Sequence, residues 1–272
     1  MSGALSAAAA VAHARRAVEG DGPPVAAVTV VEGGACAGAR MCVWADAHAG
    51  TLGAAELDDA AVRAGRAALA EGRPPGEVRI EAAGLALALF VEPHLPPPSL
   101  VIVGAGHVAR PLCRLGALLG FRVTVLDDRP EFATRERFPE AAEVRRADFS
   151  DPFRGVEIGA GSWLVLVTRG HRYDFEALRG VLRRPEPPAY VGMIASRRRT
   201  RAALDALARD GIPDERLRAV HAPIGLDVGA ETPEEIAVAV AAELVLVRRG
   251  GSGRPLRDVE RVAERWVRGS GA

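Results

Sequence analysis

Residues 104–109 read Gly104-Ala-Gly106-His107-Val-Ala109, the spacing GxGxxG/A. In that spacing the first glycine allows a tight turn and the second lets backbone approach a pyrophosphate. The small third residue lets helix and strand pack closely. A helix opening here aims free N–H groups and partial positive charge at phosphates. The next apolar run, RVTVLDD, ends in Asp127 and Asp128. An acid about 20 residues beyond the glycines is placed to bind a ribose. The alternation of Thr124 and Leu126 with Val125 favours Asp127, and Asp128 is the other candidate. The chemistry expected is the holding of a dinucleotide or a related phosphate ligand. The alternative is a Rossmann domain kept for its fold alone.

Ligands of open α/β sheets bind beyond the carboxyl ends of the strands. Three polar runs follow later apolar segments: Thr168-Arg169-Gly170-His171, Ser196-Arg197-Arg198-Arg199 and Gly225-Leu226-Asp227. The fold brings them to one rim with His107. Arginines in a first helical turn oppose the macrodipole by about 0.3–1 kcal/mol each when exposed. Either they form a solvated basic face, or a bound anion reverses the cost with Ser196 as a further donor. His171 suits a general acid or base, or a loop histidine bonded to Asp174. Of the three cysteines, Cys113 falls within the helix after the glycine loop and reads as buried. Cys42 reads as strand packing, and Cys36 lies in a glycine-rich turn as the accessible thiol. No Tyr-Lys pair, His-Asp dyad or metal cluster is legible, so no catalytic residue and no metal ligand is assigned.

The elements that must position these residues fall on two sides of a proline-rich break, Glu92 to Ser99. Before it come a helix (Ala4 to Val18), strands (Val25 to Val31, Arg40 to Ala45), a helix (Glu56 to Glu71) and two short strands between Val78 and Val91. That is a small α+β domain, residues 1–95. After it, apolar strands alternate with helices through residue 250. This predicts a Rossmann-like, doubly wound parallel sheet over residues 96–250. The strands are SLVIVG, RVTVLDD, EVRRAD, SWLVLVT, AYVGMIA and VHAPIG. Thr232, Pro233 and Glu235 mark the start of a long final helix as a capping box. Residues 251–272 read as a tail with one short helix.

Composition narrows the function classes. Thirty-five basic and thirty-five acidic residues balance to a formal charge of zero, which gives no footprint for nucleic acid or an acidic membrane. No apolar run reaches the roughly 18–20 residues of a membrane span, so no stable membrane insertion is expected. The N-terminal segment reads as an amphipathic helix rather than a signal peptide. Three cysteines without a CxxC pair fit a reducing, cytoplasmic setting.

Several stretches together resemble the XdhC/CoxI family of xanthine dehydrogenase accessory proteins, which mature molybdenum hydroxylases. They are GAGHVARPL, FRVTVLDDRPEFATRERFP, VTRGHRYDFEAL, YVGMIASRRRTRAAL and HAPIGLDVGAETPEEIAVAVAAELVLVRRG, covering Leu100 to Gly250. The resemblance implies a Rossmann-like domain that binds molybdenum cofactor, as molybdopterin or its dinucleotide form. It implies a delivery protein or chaperone rather than an enzyme. The partners implied are a xanthine or carbon monoxide dehydrogenase-type apoenzyme and a sulfurase, and a second copy of the chain is also expected. In the first domain, Ala54, Ala55 and Glu56 stand where the family usually has glycine, glycine and cysteine. Ala195 stands for a usual glycine before Ser196. Cofactor binding is therefore expected to rest on residues 100–250. Because the same glycine loop and acid suit NAD(P), an NAD(P)-dependent oxidoreductase and a non-catalytic nucleotide sensor are the alternatives.

Overall fold

The computed structural model describes residues 5–148 and 150–259. The chain divides into two compact units, residues 1–97 and 98–272.

In the first unit, helix α1 (Ala7–Glu19) is capped by the Ser6 hydroxyl, which accepts from the Ala9 N–H, and ends on left-handed Gly20. Strands β1 (Val25–Glu32), β2 (Arg40–Val43), β3 (His48–Gly50), β4 (Gly76–Ala82) and β5 (Leu85–His94) form an antiparallel sheet in the order β3-β2-β1-β5-β4. Helix α2 (Ala55–Glu71) crosses this sheet between β3 and β4 in sequence. The two-residue period of β1 splits its side chains between two cores. Ala26, Val28 and Val30 pack with Leu57, Ala61 and Val62 of α2. Val25 packs with Cys42 and with Ala10 and Ala17 of α1.

In the second unit, strands β6 (Ser99–Val103), β7 (Arg122–Asp127), β8 (Glu143–Arg146), β9 (Ser162–Leu166), β10 (Tyr190–Met193) and β11 (Val220–His221) are all parallel, in the order β11-β10-β9-β6-β7-β8. The chain runs outward from β6 to β7 and β8, then returns to the other side of β6 as β9. The boundary between β6 and β9 is therefore the point where ligand crevices form in such sheets. Helices α3 (Ala109–Leu118) and α7 (Pro233–Arg249) cover one face through Leu112, Cys113, Val240 and Leu244. Helices α4 (His171–Leu182), α5 (Arg197–Arg209) and α6 (Asp214–Arg218) cover the other through Leu178, Val181, Leu207 and Leu217. The doubly wound sheet is thus present as expected. The capping box at Thr232 and Glu235 is formed.

Differences from the sequence reading are local. Strand β3 and helix α6 were not anticipated, and the sixth strand is only two residues long. Helix α3 starts at Ala109, two residues later than expected, because His107 and Val108 still belong to the turn. Of the expected tail helix, Leu256–Val259 (α8) is seen. The rest of that tail, like Ala4 at the expected start of α1, lies outside the described residues.

A buried polar knot locks the β11 side of the sheet. The Glu243 carboxylate on α7 accepts from the Tyr190 hydroxyl at 2.7 Å and from the Gly225 N–H, and lies 2.7 Å from His221 Nδ1. Tyr190 also stacks on Trp163, with ring centroids 5.2 Å apart. Burial, reinforced by Glu243, pushes the Tyr190 phenol far above its ordinary range. Glu243→Leu strands these donors, and an unsatisfied buried donor costs about 1–3 kcal/mol. Urea denaturation of the Leu variant is expected to show a clearly lowered midpoint, whereas Glu234→Leu, on the exposed start of the same helix, leaves it in place. Equal midpoints for the two variants would contradict this account.

Candidate functional site

The glycine loop leaves the end of β6 at the switch point. Gly104 donates its N–H to the Leu126 carbonyl at 2.7 Å. Its φ is +108°, and a Cβ there would stand 2.7 Å from the Val167 carbonyl oxygen. Only glycine suits that conformation, and only glycine lets the loop after β6 touch the loop after β9. Gly106 differs, because a Cβ there would meet nothing within 4 Å. The N–H groups of Gly106, His107 and Val108 find no acceptor among the described residues, and Val108 caps α3 with no side chain. His107 is exposed beside them, while Ala109 is buried against the core. An open loop mouth ringed by unused N–H groups is a site for an anion.

The two acids at the end of β7 do different work. Asp127 is 2% exposed. One carboxylate oxygen accepts the Ala105 N–H at 2.7 Å and Arg129 Nη2 at 2.9 Å. The other accepts the Arg129 backbone N–H at 3.0 Å and its Nε at 2.9 Å. Burial pushes this carboxyl up, but the hydrogen bonds from Arg129 and Ala105 and the Arg129 charge outweigh it and hold the carboxyl below the usual carboxylate range. Asp127 is thus committed to the loop itself. Asp128, partly exposed, takes two hydrogen bonds from Arg169 at 2.9 Å each and lines a cavity of about 830 Å³. That ion pair joins the loops after β7 and β9. Arg169 also lies over the Tyr173 ring, 4.4 Å from its centroid, and donates to the Tyr173 hydroxyl.

Sequence reasoning missed Arg129, Phe132 and Arg137. Both guanidinium groups lie over the Phe132 ring, at 3.6 and 4.6 Å from its centroid, and Arg137 donates to the Ala105 carbonyl at 3.2 Å. Together they brace the glycine loop from the β7 side. The signal was the run of arginines around one phenylalanine in DDRPEFATRER, in a segment without helical or strand periodicity.

The remaining predicted residues gather along the rim. Thr168 donates to Asp174 at 2.5 Å, and Arg199 reaches the same buried carboxylate at 2.6 Å. The starts of α4 and α5 are therefore tied to the loop after β9. Ser196 is the N-cap of α5, accepting from the Arg199 N–H at 3.3 Å. The arginine run is divided: Arg199 is spent on Asp174, while Arg197 and Arg198 are exposed and pair with no described carboxylate. Arg197 borders a second cavity of about 370 Å³ with Thr200, Arg201 and Pro223. The Thr200 hydroxyl is buried without a hydrogen-bond partner among the described residues. His171 opens α4, but its side chain lies outside what is described. Asp227 is exposed in the loop between β11 and α7, whose neighbour Gly225 is held by Glu243.

The thiols are elsewhere. Cys113 and Cys42 are buried, and desolvation is the first cause that raises each to about 11. Cys36, expected to be the accessible thiol, is half-buried against the core of the first unit. Glu56 lies in the first turn of α2, where a carboxylate suits the helix dipole.

The model of the XdhC Rossmann domain matches residues 100–244, and that of the XdhC and CoxI family matches residues 18–81. The chain belongs to the XdhC and CoxI family. An Escherichia coli K12 relative, the uncharacterized protein YqeB, is 33% identical over 227 residues, which is 79% of this chain and 41% of that protein. A probable xanthine dehydrogenase subunit from Bacillus subtilis 168 is 30% identical over 161 residues, 59% of this chain and 46% of that protein. The chain thus spans less than half the length of these two relatives. A solved Bacillus halodurans structure, described as a xanthine dehydrogenase, superposes with a TM-score of 0.51 at 20% identity, over 84% of this chain and 92% of that one. That likeness shows a shared fold.

For this XdhC/CoxI member the Asp127 bridge yields a prediction. A carboxyl held below its unfolded value adds stability above that value, and the gain is lost as pH falls through the folded value. Asp127→Asn is expected to cost about 1–3 kcal/mol at neutral pH, for one strained or stranded donor. The gap from wild type should narrow as pH falls below about 4. Urea titrations at several pH values check both parts, and a gap independent of pH would be contrary to this role.

Proposed function

We propose that this chain holds molybdenum cofactor by its phosphate on the Rossmann rim and hands it to a xanthine or carbon monoxide dehydrogenase-type apoenzyme. The observation that carries this reading is the open mouth at Gly106 with its unused N–H groups, in a domain of the XdhC family. Support for the client class comes from the Bacillus subtilis relative, named as a probable xanthine dehydrogenase subunit.

The residues fit a phosphorylated ligand. The N–H groups of Gly106, His107 and Val108 would hold one phosphate. Arg197 and Arg198, at the start of α5, supply charge that no described carboxylate takes. The bound group would bring the molybdenum centre needed by the recipient. The chain's own residues grip its phosphate, and Asp127, Arg129 and Arg137 keep the loop in shape to do so. Among the described residues, no group of three His, Cys, Asp or Glu side chains is placed to hold a metal ion. Phosphate capture is the interaction these residues would supply. Delivery needs the grip to be reversible, and solvent-exposed charge contacts that salt can screen suit that need.

The test is to purify the chain from a molybdenum-replete host and identify the pterin released on denaturation. Gly106→Val is expected to reduce retained pterin at least tenfold with an unchanged melting temperature, because the new side chain enters open space in the loop mouth. Unchanged retention would overturn the cradle. Replacing Arg197 and Arg198 together by glutamate is expected to weaken retention and flatten its dependence on salt. If the double variant retains pterin as the wild type does, the two arginines are only a solvated face. Release of a nicotinamide dinucleotide in place of a pterin would favour the oxidoreductase or sensor alternatives.

A further inference from the structure

The sheet of the first unit has two edges, and they are guarded differently. Strand β3 closes one edge with only three residues, and a very short edge recruits other chains poorly. The other edge is β4 (Gly76–Ala82), seven residues long. Its pairing with β5 runs from Gly76↔Val91 to Ala82↔Leu85 without a bulge, and it holds no proline or lysine. It is longer than the edge strands of the second sheet, β8 with four residues and β11 with two. A long, regular edge of this kind is a template for a further strand. We infer that this further strand is β4 of a second copy of the chain, joined antiparallel about a two-fold axis at Ile80. The inference does not depend on the reading of the Rossmann rim.

Three observations lead there. First, the edge presents open backbone groups. Ala83 and Gly84 form a two-residue turn, with φ of +51° and +71°, so Ala82 and Leu85 flank it as a hydrogen-bonded pair. Bonded and non-bonded pairs alternate along an antiparallel ladder. Ile80 and Val78 therefore bond inward to β5, while the N–H and C=O groups of Glu77, Arg79 and Glu81 point outward. Those groups have no hydrogen-bond partner among the described residues.

Secondly, the exposed side chains of β4 alternate in sign, as Glu77, Arg79 and Glu81. A single sign would repel every copy, whereas this alternation selects a register. A two-fold at Arg79 sets Arg79 against its own copy and Glu77 against Glu81, like against like. A two-fold at Val78 opposes unlike charges, but it sets Pro75 against Glu81, where an N–H is needed and proline has none. A two-fold at Ile80 sets each Arg79 against a Glu81 and keeps the paired residues within the strand. Arg79 meets Glu77 at 3.0 Å and Glu32 at 3.9 Å within its own chain, with its side chain 77% exposed. Pairs that exposed exchange partners at little cost.

Thirdly, the face under α2 gains apolar contact. Val78, Ile80 and Ala82 pack against the core that α2 covers. In this register Ile80 faces its own copy and Val78 faces Ala82. Leu85, 47% exposed, lies opposite Ala82 on that face, and the incoming Val78 covers it across the small alanine. The join makes one ten-stranded sheet from two five-stranded ones and leaves only the short β3 edges outermost.

The experiment is sedimentation equilibrium of the full-length chain. A strand-to-strand interface is small, so the expected dissociation constant lies between about 1 and 100 µM. Arg79→Glu makes the edge acidic throughout and is expected to weaken dimerisation about tenfold or more. Arg79→Glu combined with Glu81→Arg restores both opposed pairs with their charges exchanged, and is expected to return to within about threefold of wild type. Arg63→Glu, at an exposed position on α2, changes the net charge as Arg79→Glu does and should leave the dimer in place. Circular dichroism confirms that each variant folds. A chain that stays monomeric at about 100 µM overturns the inference and leaves the edge to a strand of another protein. A dimer indifferent to Arg79→Glu, a double variant that stays dissociated, or an Arg63→Glu variant that dissociates as readily overturns it as well.

Discussion

The Asp127 carboxylate, buried at the end of β7, receives the Ala105 N–H from the loop after β6 and three hydrogen bonds from Arg129. The conformation of the rim depends on it. A glycine-rich turn has the most backbone freedom to lose on folding, so something must hold it in one shape. Here the hold comes from neighbouring loops rather than from the turn. Asp127 takes the Ala105 N–H and Arg137 takes its carbonyl, while Gly104 is wedged against Val167. With Ala105 pinned on both its polar groups, the N–H groups that follow are left pointing to an open mouth. Preorganisation of this kind lowers the ordering cost of binding.

Much of the second unit was legible in the sequence, for a clear reason. Continuous apolar runs such as SWLVLVT arise only where a strand is covered on both faces, and GxGxxA with a following acid fixes where the chain turns. The small elements were not legible. Strand β3 has three residues, too few for a period to appear. Helix α6 follows Pro213 and carries Asp214 and Glu215 in its first turn, so its start was marked, but five residues do not establish a helical repeat. At the site, the strand phase favoured Asp127 over Asp128 as the acid for a ribose. It could not show that burial would commit this acid to the loop and turn Asp128 toward open space. That outcome depends on Arg129 and Arg137, whose positions in an irregular segment are set by stacking on Phe132. Local pattern has no means of encoding such a contact.

The first unit shows how the start of α2 can be structurally complete on its own residues. Helix α2 (Ala55–Glu71) has Ala54 as its N-cap, which offers no side-chain hydrogen bond. Asp58 compensates from within the helix by accepting the Leu52 N–H at 2.6 Å and the Thr51 hydroxyl at 2.7 Å. Glu56 joins it as a second acid near the helix start. Both carboxylates are favoured there by the dipole. The segment has a structural account in its own residues, and the side chains it presents there are carboxylates.

Charge at the rim is compensated unevenly, and the unevenness is informative. Arg129, Arg169 and Arg199 are each paired with a carboxylate, on Asp127, Asp128 and Asp174 in turn. The Arg169 and Arg199 pairs fasten one loop or helix start to another, and the Arg129 pair holds the carboxylate that anchors Ala105, so these charges are spent on shape. Arg197 and Arg198 stand one turn or less from the N-cap of α5 and have no such partner among the described residues. At that end of a helix a cation is unfavourable by about 0.3–1 kcal/mol when exposed. No carboxylate among the described residues offsets this, and Arg199 is the member of the run that pairs with Asp174. Two cations placed against the dipole, on the same sheet edge as the glycine loop, leave the start of α5 with charge that no carboxylate among the described residues takes. An incoming anion reverses the sign of that local cost, so the same arginines that weaken the empty rim strengthen the filled one.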